Sequence, residues 1–162
     1  MKKGQAAMEF LMTYGWAILV VIAAIAALAY FGVLDPARLL PERCQSSAGM
    51  DCIGHAAVQT TQIDFTLANN NPSGNDIEVY DLEIVSTTCT AKEIASGANG
   101  AYVDISSANV TVGNNEVFKV RYSGCSGLTS GNKFEDTVTV WYKDTYSGQL
   151  LPVNVDLRGR VI

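Results

Sequence analysis

Hydrophobic and polar positions divide this chain into two parts with different periods. From Phe10 to Leu34 there is no charged side chain, and as a helix this stretch extends about 37 Å at about 1.5 Å per residue. That length exceeds the roughly 30 Å of a membrane's hydrocarbon core, so the pattern predicts a membrane-spanning helix. Asp35-Pro36 predicts its end, because the residue before a proline is disfavoured in the α region.

Beyond residue 35, hydrophobic side chains recur at every second position, which is the period of a half-buried β-strand. Turn signals rich in Gly, Pro and Asn, such as 69–75 and 113–115, separate these segments. Weaker strands near Val58, Val103 and Val110 bring the predicted count to seven or eight. The five clearest segments have these predicted inward side chains: Ile63, Phe65 and Leu67; Tyr80, Leu82 and Ile84; Phe118, Val120 and Tyr122; Val138, Val140 and Tyr142; Val153, Val155 and Leu157.

The two parts together predict an α+β fold class. A long hydrophobic N-terminal helix is followed by an antiparallel β-sandwich, immunoglobulin-like in layout, over residues 35–162. That length suits one domain, and no internal repeat or linker indicates a second.

The residues before the apolar stretch predict both its orientation and its retention. Lys2 and Lys3 place the N-terminus in the cytoplasm and residues 35–162 outside, by the positive-inside tendency. A secretory signal is cut at a small-residue site beyond its apolar segment, whereas here Gly4 lies before it. The apolar segment is therefore expected to stay in the mature protein.

The order Lys2-Lys3-Gly4, then Gln5, then Glu9, then an uncharged apolar stretch resembles the class III (prepilin-type) signal peptide of archaeal type IV-like pilins. The resemblance implies that a prepilin peptidase removes residues 1–4 after Gly4 and leaves Gln5 as the new N-terminus. Residues 5–34 then form the transmembrane and filament-core helix. Glu9 takes the fifth mature position, where type IV pilins carry an acid, while Ala7 departs from the Ser that many archaeal pilins have third.

The resemblance also implies a function: a structural subunit of an adhesion pilus that polymerises into a helical filament at the cell surface. Its partners are then other copies of itself, the prepilin peptidase, an assembly ATPase with its membrane platform, and the plasma membrane that holds the precursor. Glu9 is expected to pair with the Gln5 α-ammonium of a neighbouring subunit, because a carboxylate beside an apolar stretch is costly to bury unpaired. The alternative is a solvated Glu9 at headgroup level.

Two other functions are compatible with the same N-terminal signal and apolar segment. One is a surface binding module that stays anchored in the membrane, and the other is an archaellin, the subunit of the swimming filament. Visible filaments would separate an assembled subunit from an anchored monomer.

Four cysteines, all beyond the apolar segment, predict disulfides in a domain outside the cytoplasm. Of the three possible connectivities, Cys44–Cys52 and Cys89–Cys125 are favoured. The first closes a short loop, and the second joins a strand end to the Gly-rich loop 123–132. A zinc site with His55 is not predicted, since the cysteine spacings are irregular and no Cys-x-x-Cys pair occurs.

Charge and composition argue against nucleic-acid binding and catalysis. Residues 35–162 carry 9 basic and 15 acidic side chains, a net charge of −6, which repels nucleic acid. His55 is the single histidine, and no Gly-rich phosphate loop occurs, so neither a catalytic nor a cofactor site is predicted. The acidic pairs Asp81/Glu83 and Glu135/Asp136 are interpreted as solvated strand and turn residues.

Two surface features remain as candidates. Asn109-Val110-Thr111 is an acceptor sequence for N-glycosylation, so Asn109 is predicted to be exposed and to carry a glycan. Among the aromatic residues of the domain, Trp141 lies on the more polar face of its strand and is the candidate contact residue.

Overall fold

The structure, a computed structural model, describes residues 3–30, 42–97 and 99–162. By internal contacts the chain divides into two units, Met1–Leu40 and Pro41–Ile162. The predicted domain boundary at 34/35 and the predicted helix end at Asp35-Pro36 lie outside the described residues.

The first unit contains one long helix, α1, which spans Lys3–Tyr30. Good helix formers and a nearly continuous apolar composition explain it, and Gly15 lies within the helix without interrupting it. The predicted N-terminal hydrophobic helix is therefore confirmed over the described residues.

The second unit is built from antiparallel strands. Eleven occur among the described residues: β1 (Arg43–Ser46), β2 (Met50–Cys52), β3 (Ala57–Val58), β4 (Gln62–Asn69), β5 (Ile77–Ile84), β6 (Ala91–Ser96), β7 (Val103–Asp104), β8 (Val110–Val112), β9 (Val117–Ser123), β10 (Lys133–Asp144) and β11 (Leu150–Arg160).

These strands form two sheets. One has the order β1-β11-β10-β5-β8, and the other has the order β2-β4-β9-β6-β7, with β3 also paired to β4. In the immunoglobulin layout a sheet of strands A, B, E and D faces a sheet of strands C, F and G. Here β2-β4-β9-β6 and β5-β10-β11 take those places, so the predicted sandwich is confirmed.

Alternation along the strands places one shared core between the two sheets. β4 buries Ile63, Phe65 and Leu67, and β9 buries Phe118, Val120 and Tyr122. The inward residues predicted on β10 and β11 are buried as well. Each strand thus exchanges one hydrated face for apolar contact, the main favourable term in folding.

The prediction for β5 is wrong at one position. Tyr80 is half-buried, and Val79 occupies the core in its place. The register with β10 shifts here, since Trp141 pairs with Asp81 while Tyr142 pairs with Val79. A bulge inserts one extra residue into one strand, which moves the following side chains to the other face.

The predicted count of seven or eight strands is also too low for the described residues. β1, β2 and β6 were not predicted. β1 reads Arg-Cys-Gln-Ser and β2 reads Met-Asp-Cys, and both lack β-branched and aromatic residues. β6 reads Ala-Lys-Glu-Ile-Ala-Ser, which lacks the β-branched and aromatic enrichment of a strand. Pairing with β9 makes it a strand.

The ends of the sandwich differ in what they carry. At the entry end, where the chain arrives from the apolar segment, Arg43 pairs with Arg158 and Lys133 pairs with Arg160. At the opposite, far end lie the loops 70–76, 113–116 and 145–149.

Candidate functional site

The apolar helix is the first candidate site. Met8–Tyr30 is 23 residues long with a mean hydropathy of 2.3, long and apolar enough to span a membrane. These features fit either a membrane anchor or a signal sequence. Large apolar side chains such as Met12, Trp16 and Leu19 are exposed, with 81% of Met12 accessible. Such a surface needs lipid or other apolar helices around it.

The polar start of α1 carries the residues predicted for processing and assembly. The peptide bond between Gly4 and Gln5 lies in the first turns of the helix, and Glu9 follows Gln5 by four positions. The Glu9 side chain is exposed, and its backbone carbonyl accepts a hydrogen bond from Thr13 Oγ1 at 2.8 Å. Lys2 lies outside the described residues.

Both predicted disulfides are present. Cys44–Cys52 joins β1 to β2, which belong to different sheets, with the two Cα atoms 5.7 Å apart. Cys89–Cys125 joins the β5–β6 loop to the loop after β9 at the entry end. The two bridges fit an extracellular location.

The glycosylation candidate lies at the edge of a sheet. Asn109 is exposed and directly precedes β8, the last strand of its sheet, and its Nδ2 donates to Glu78 Oε1 at 3.3 Å. Thr111 points outward between buried Val110 and Val112. Both polar side chains of the acceptor sequence are therefore at the surface.

A buried carboxylate organises the far end, and sequence reasoning missed it. Asp144 is 4% exposed and accepts hydrogen bonds from Asn71 Nδ2 at 2.9 Å, the Tyr146 N–H at 2.9 Å and the Ser147 N–H at 2.8 Å. Ser73 Oγ also donates to it. These hydrogen bonds hold the pKa of Asp144 well below the usual range, and the bond from the Ser147 N–H has the largest effect.

Asn69 completes the far end as a second polar centre in the core. Its side chain is fully buried, and Nδ2 donates to the carbonyls of Asn75 at 3.1 Å, Gly113 at 3.1 Å and Val112 at 3.3 Å. It thus ties two loops to the end of β4. The Asn-rich segment 69–75 signalled a turn, but not this bonding.

Asp136 corrects the interpretation of the Glu135/Asp136 pair. Glu135 is exposed, but Asp136 is 5% exposed and accepts hydrogen bonds from the N–H groups of Ser86 at 2.9 Å and Thr87 at 2.8 Å. The inward alternation of β10 could have indicated this, since Asp136 shares a face with Phe134 and Val138. Its role is to satisfy the N–H groups of the turn that follows β5.

The other candidate residues are dispersed. Trp141 is half-buried on the outer face and lies opposite Pro152, whereas Tyr142 is buried. His55 is exposed, 3.6 Å from Glu42. Across residues 3–30, 42–97 and 99–162, no three His, Cys, Asp or Glu side chains converge in an arrangement that could hold a metal ion.

Comparison with protein-family models and with curated proteins finds no match for this chain.

Proposed function

We propose that this chain is the structural subunit of an archaeal type IV-like adhesion pilus, made as a membrane precursor and polymerised through α1. One arrangement carries the proposal: a lone carboxylate, Glu9, stands directly before a helical segment that has no charge from Phe10 to Tyr30. An anchor needs the apolar segment alone. A carboxylate at the start of that segment has a structural role if helices pack side by side, because it can then pair with a charge on a neighbouring helix.

The role we propose for Glu9 is to form an ion pair with a neighbouring subunit. Cleavage after Gly4 would create an α-ammonium on Gln5, one helical turn before Glu9. A neighbouring helix displaced along the axis by about 6 Å, the rise of four residues, brings its Glu9 level with this ammonium. Each charge then satisfies the other in an apolar core, where an unpaired charge is very costly.

The apolar surface of α1 serves two stages of this scheme. In the precursor, lipid covers the exposed side chains, with Met8–Tyr30 as the span. In the filament, other copies of α1 replace the lipid. Ala23 and Ala27 share a face, and small side chains allow helix backbones to approach closely.

The sandwich is the part displayed outside the cell. Its two disulfides stabilise it there, and a glycan on Asn109 would cover the edge strand β8, which otherwise offers unpaired backbone groups to other chains. The partners proposed with this function are the prepilin peptidase acting at Gly4–Gln5, an assembly ATPase with its membrane platform, and further copies of the chain.

The test is N-terminal sequencing combined with electron microscopy of purified surface material. We expect filaments whose subunits begin at Gln5. A Gly4→Val variant should keep residues 1–4 and form no filaments, whereas a Gly15→Ala variant, matched in adding a side chain to a glycine of the same helix, should be cleaved normally. Uncleaved protein without filaments would favour the anchored binding module, and loss of residues through Leu34 would indicate a secretory signal.

A further inference from the structure

Four basic side chains gather at the entry end of the sandwich, on the outer face of one sheet. Arg43 on β1 lies opposite Arg158 on β11, which lies opposite Glu135 on β10; in the next row Lys133 lies opposite Arg160. All five side chains are exposed. We call Arg43, Lys133, Arg158 and Arg160 the basic row.

The basic row has too few carboxylates to neutralise it. Glu135 serves two of its members, with Oε1 at 2.6 Å from Arg158 and Oε2 at 3.1 Å from Lys133. The hydrogen bond from Lys133 and the charge of Arg158 lower the pKa of Glu135 below its usual range. Within the described part of the chain, Arg43 and Arg160 have no carboxylate within ion-pair distance.

Two other basic side chains of the domain each form an ion pair with one carboxylate. Lys92 is paired with Asp81 at 2.9 Å, and Arg121 with Asp64 at 2.8 Å. Lys92 and Arg121 therefore each have a carboxylate of their own, which Arg43 and Arg160 lack.

Arg43 and Arg158 form a like-charge pair across neighbouring strands. Like charges placed directly opposite destabilise a sheet unless something lies between them. A hollow of about 270 Å³ is present between these side chains, lined by Arg43, Gln45, Asp156 and Arg158. Asp156 accepts a hydrogen bond from Thr137 Oγ1 at 2.7 Å. The hollow thus presents two guanidinium groups and one amide, and the single carboxylate of Asp156 leaves its lining with a net positive charge.

The position of the basic row indicates which kind of anion it binds. The domain is acidic overall, so a dissolved polyanion is repelled at most other approaches. The basic row, however, lies at the end where Glu42 continues the chain from the apolar segment, with Tyr30 only twelve positions earlier. A short covalent connection gives a high effective concentration of the membrane surface at this end of the domain.

We propose that Arg43, Lys133, Arg158 and Arg160 dock the sandwich on the anionic headgroups of the membrane that holds the chain's own helix. The proposal rests on the membrane-held precursor under Proposed function and is independent of filament formation. Each basic side chain near an anionic surface shifts such an equilibrium about fivefold. Docking would orient the sandwich of the precursor at the membrane until assembly removes the subunit from the membrane.

The experiment uses the isotope-labelled full chain in lipid nanodiscs that contain a headgroup-attached spin label. One set contains anionic phosphatidylglycerol and the other zwitterionic phosphatidylcholine only. In anionic discs we expect paramagnetic broadening of the amides of residues 43, 133, 158 and 160, but not of Tyr146 at the far end, and loss of the broadening at high salt. Co-elution with discs verifies insertion separately.

A matched pair of variants isolates the row. Arg43→Gln/Arg160→Gln removes two charges without breaking an ion pair, and should reduce the ratio of docked to undocked domain roughly 20- to 30-fold. Lys143→Gln removes one charge beside the far end and should leave docking unchanged, whereas its single-charge counterpart Arg160→Gln should reduce docking about fivefold. Equal broadening in both lipids, or equal loss in the two single-charge variants, would overturn the proposal. So would shifts caused by inorganic phosphate alone, or by added copies of the chain, without lipid broadening.

Discussion

Asn71 donates a side-chain hydrogen bond to Asp144, 2.9 Å away and 73 positions later in the chain. Through this contact the β4–β5 loop and the β10–β11 turn are held by one buried carboxylate. The donors around it satisfy the ionised form, which explains why its pKa is depressed.

Asp144→Asn should lower the free energy of unfolding at neutral pH, because an amide replaces an acceptor that faces several donors. The wild-type advantage comes from a depressed carboxylate pKa. It is therefore complete above the ordinary Asp pKa of about 3.9 and is lost as the pH falls from there toward the native value. Urea unfolding across this pH range measures it, with exposed Asp51→Asn as the control. A difference that does not shrink in acid would contradict the charge argument.

Tyr122→Phe should leave the protein as stable as before or stabilise it by about 1 kcal/mol. The Tyr122 hydroxyl is buried with no hydrogen-bond partner among the described residues, and burial raises its pKa far above the usual value. Tyr122→Ala should instead cost about 3–5 kcal/mol, since it removes the ring from the core. Chemical denaturation compares the two, and a destabilising Phe variant would reveal a partner for the hydroxyl.

Gly124→Ala should destabilise the entry end more than Gly54→Ala does. Both glycines have positive φ, at 64° and 84°, which costs an alanine about 1–3 kcal/mol. Only at Gly124 would the added Cβ also collide with Thr90 Oγ1, whereas nothing lies near Gly54. Thermal unfolding of the two variants separates strain from collision, and equal losses would show that Thr90 moves away freely.

Removing the two disulfides should have unequal effects. In the chain-entropy model, the separation of 36 residues between Cys89 and Cys125 corresponds to about 4 kcal/mol, and the separation of 8 between Cys44 and Cys52 to about 2.5 kcal/mol. Paired Cys→Ser variants, compared by denaturation, measure both. If the Cys44/Cys52 variant loses more, the link between the sheets outweighs the loop-closure term.

Glu9→Ala should impair filament assembly while leaving membrane insertion and the sandwich intact. Insertion depends on the apolar segment, but assembly would leave the Gln5 ammonium without a partner, at about 3–5 kcal/mol for a broken buried pair. The ratio of filament to membrane-bound subunit measures this, with Glu9→Gln as the isosteric variant and Glu83→Ala as the surface control. Normal assembly of Glu9→Ala would mean that Glu9 is only a solvated headgroup residue.

Local periodicity was sufficient to locate α1 and four of the five clearest inward-facing patterns, those on β4, β9, β10 and β11. A continuous apolar stretch or a strict alternation commits a segment to one environment, whatever its neighbours are. The cysteine pairing was also accessible, because few connectivities compete. The roles of the polar residues at the start of α1 stay predictions, which rest on the order of these residues and on their resemblance to a signal peptide.

Other features exist only once distant segments meet. The alternation of β10 places Asp136 and Asp144 on its inward face, but the donors that satisfy these buried carboxylates come from the Ser86–Thr87 turn and the 70–76 loop, which the sequence of β10 does not reveal. The bulge at Tyr80 arises from pairing with β10, and the basic row from the register of β1, β10 and β11. Periodicity reports which face of a strand is buried, whereas register decides which side chains become neighbours, and that requires the folded sheets.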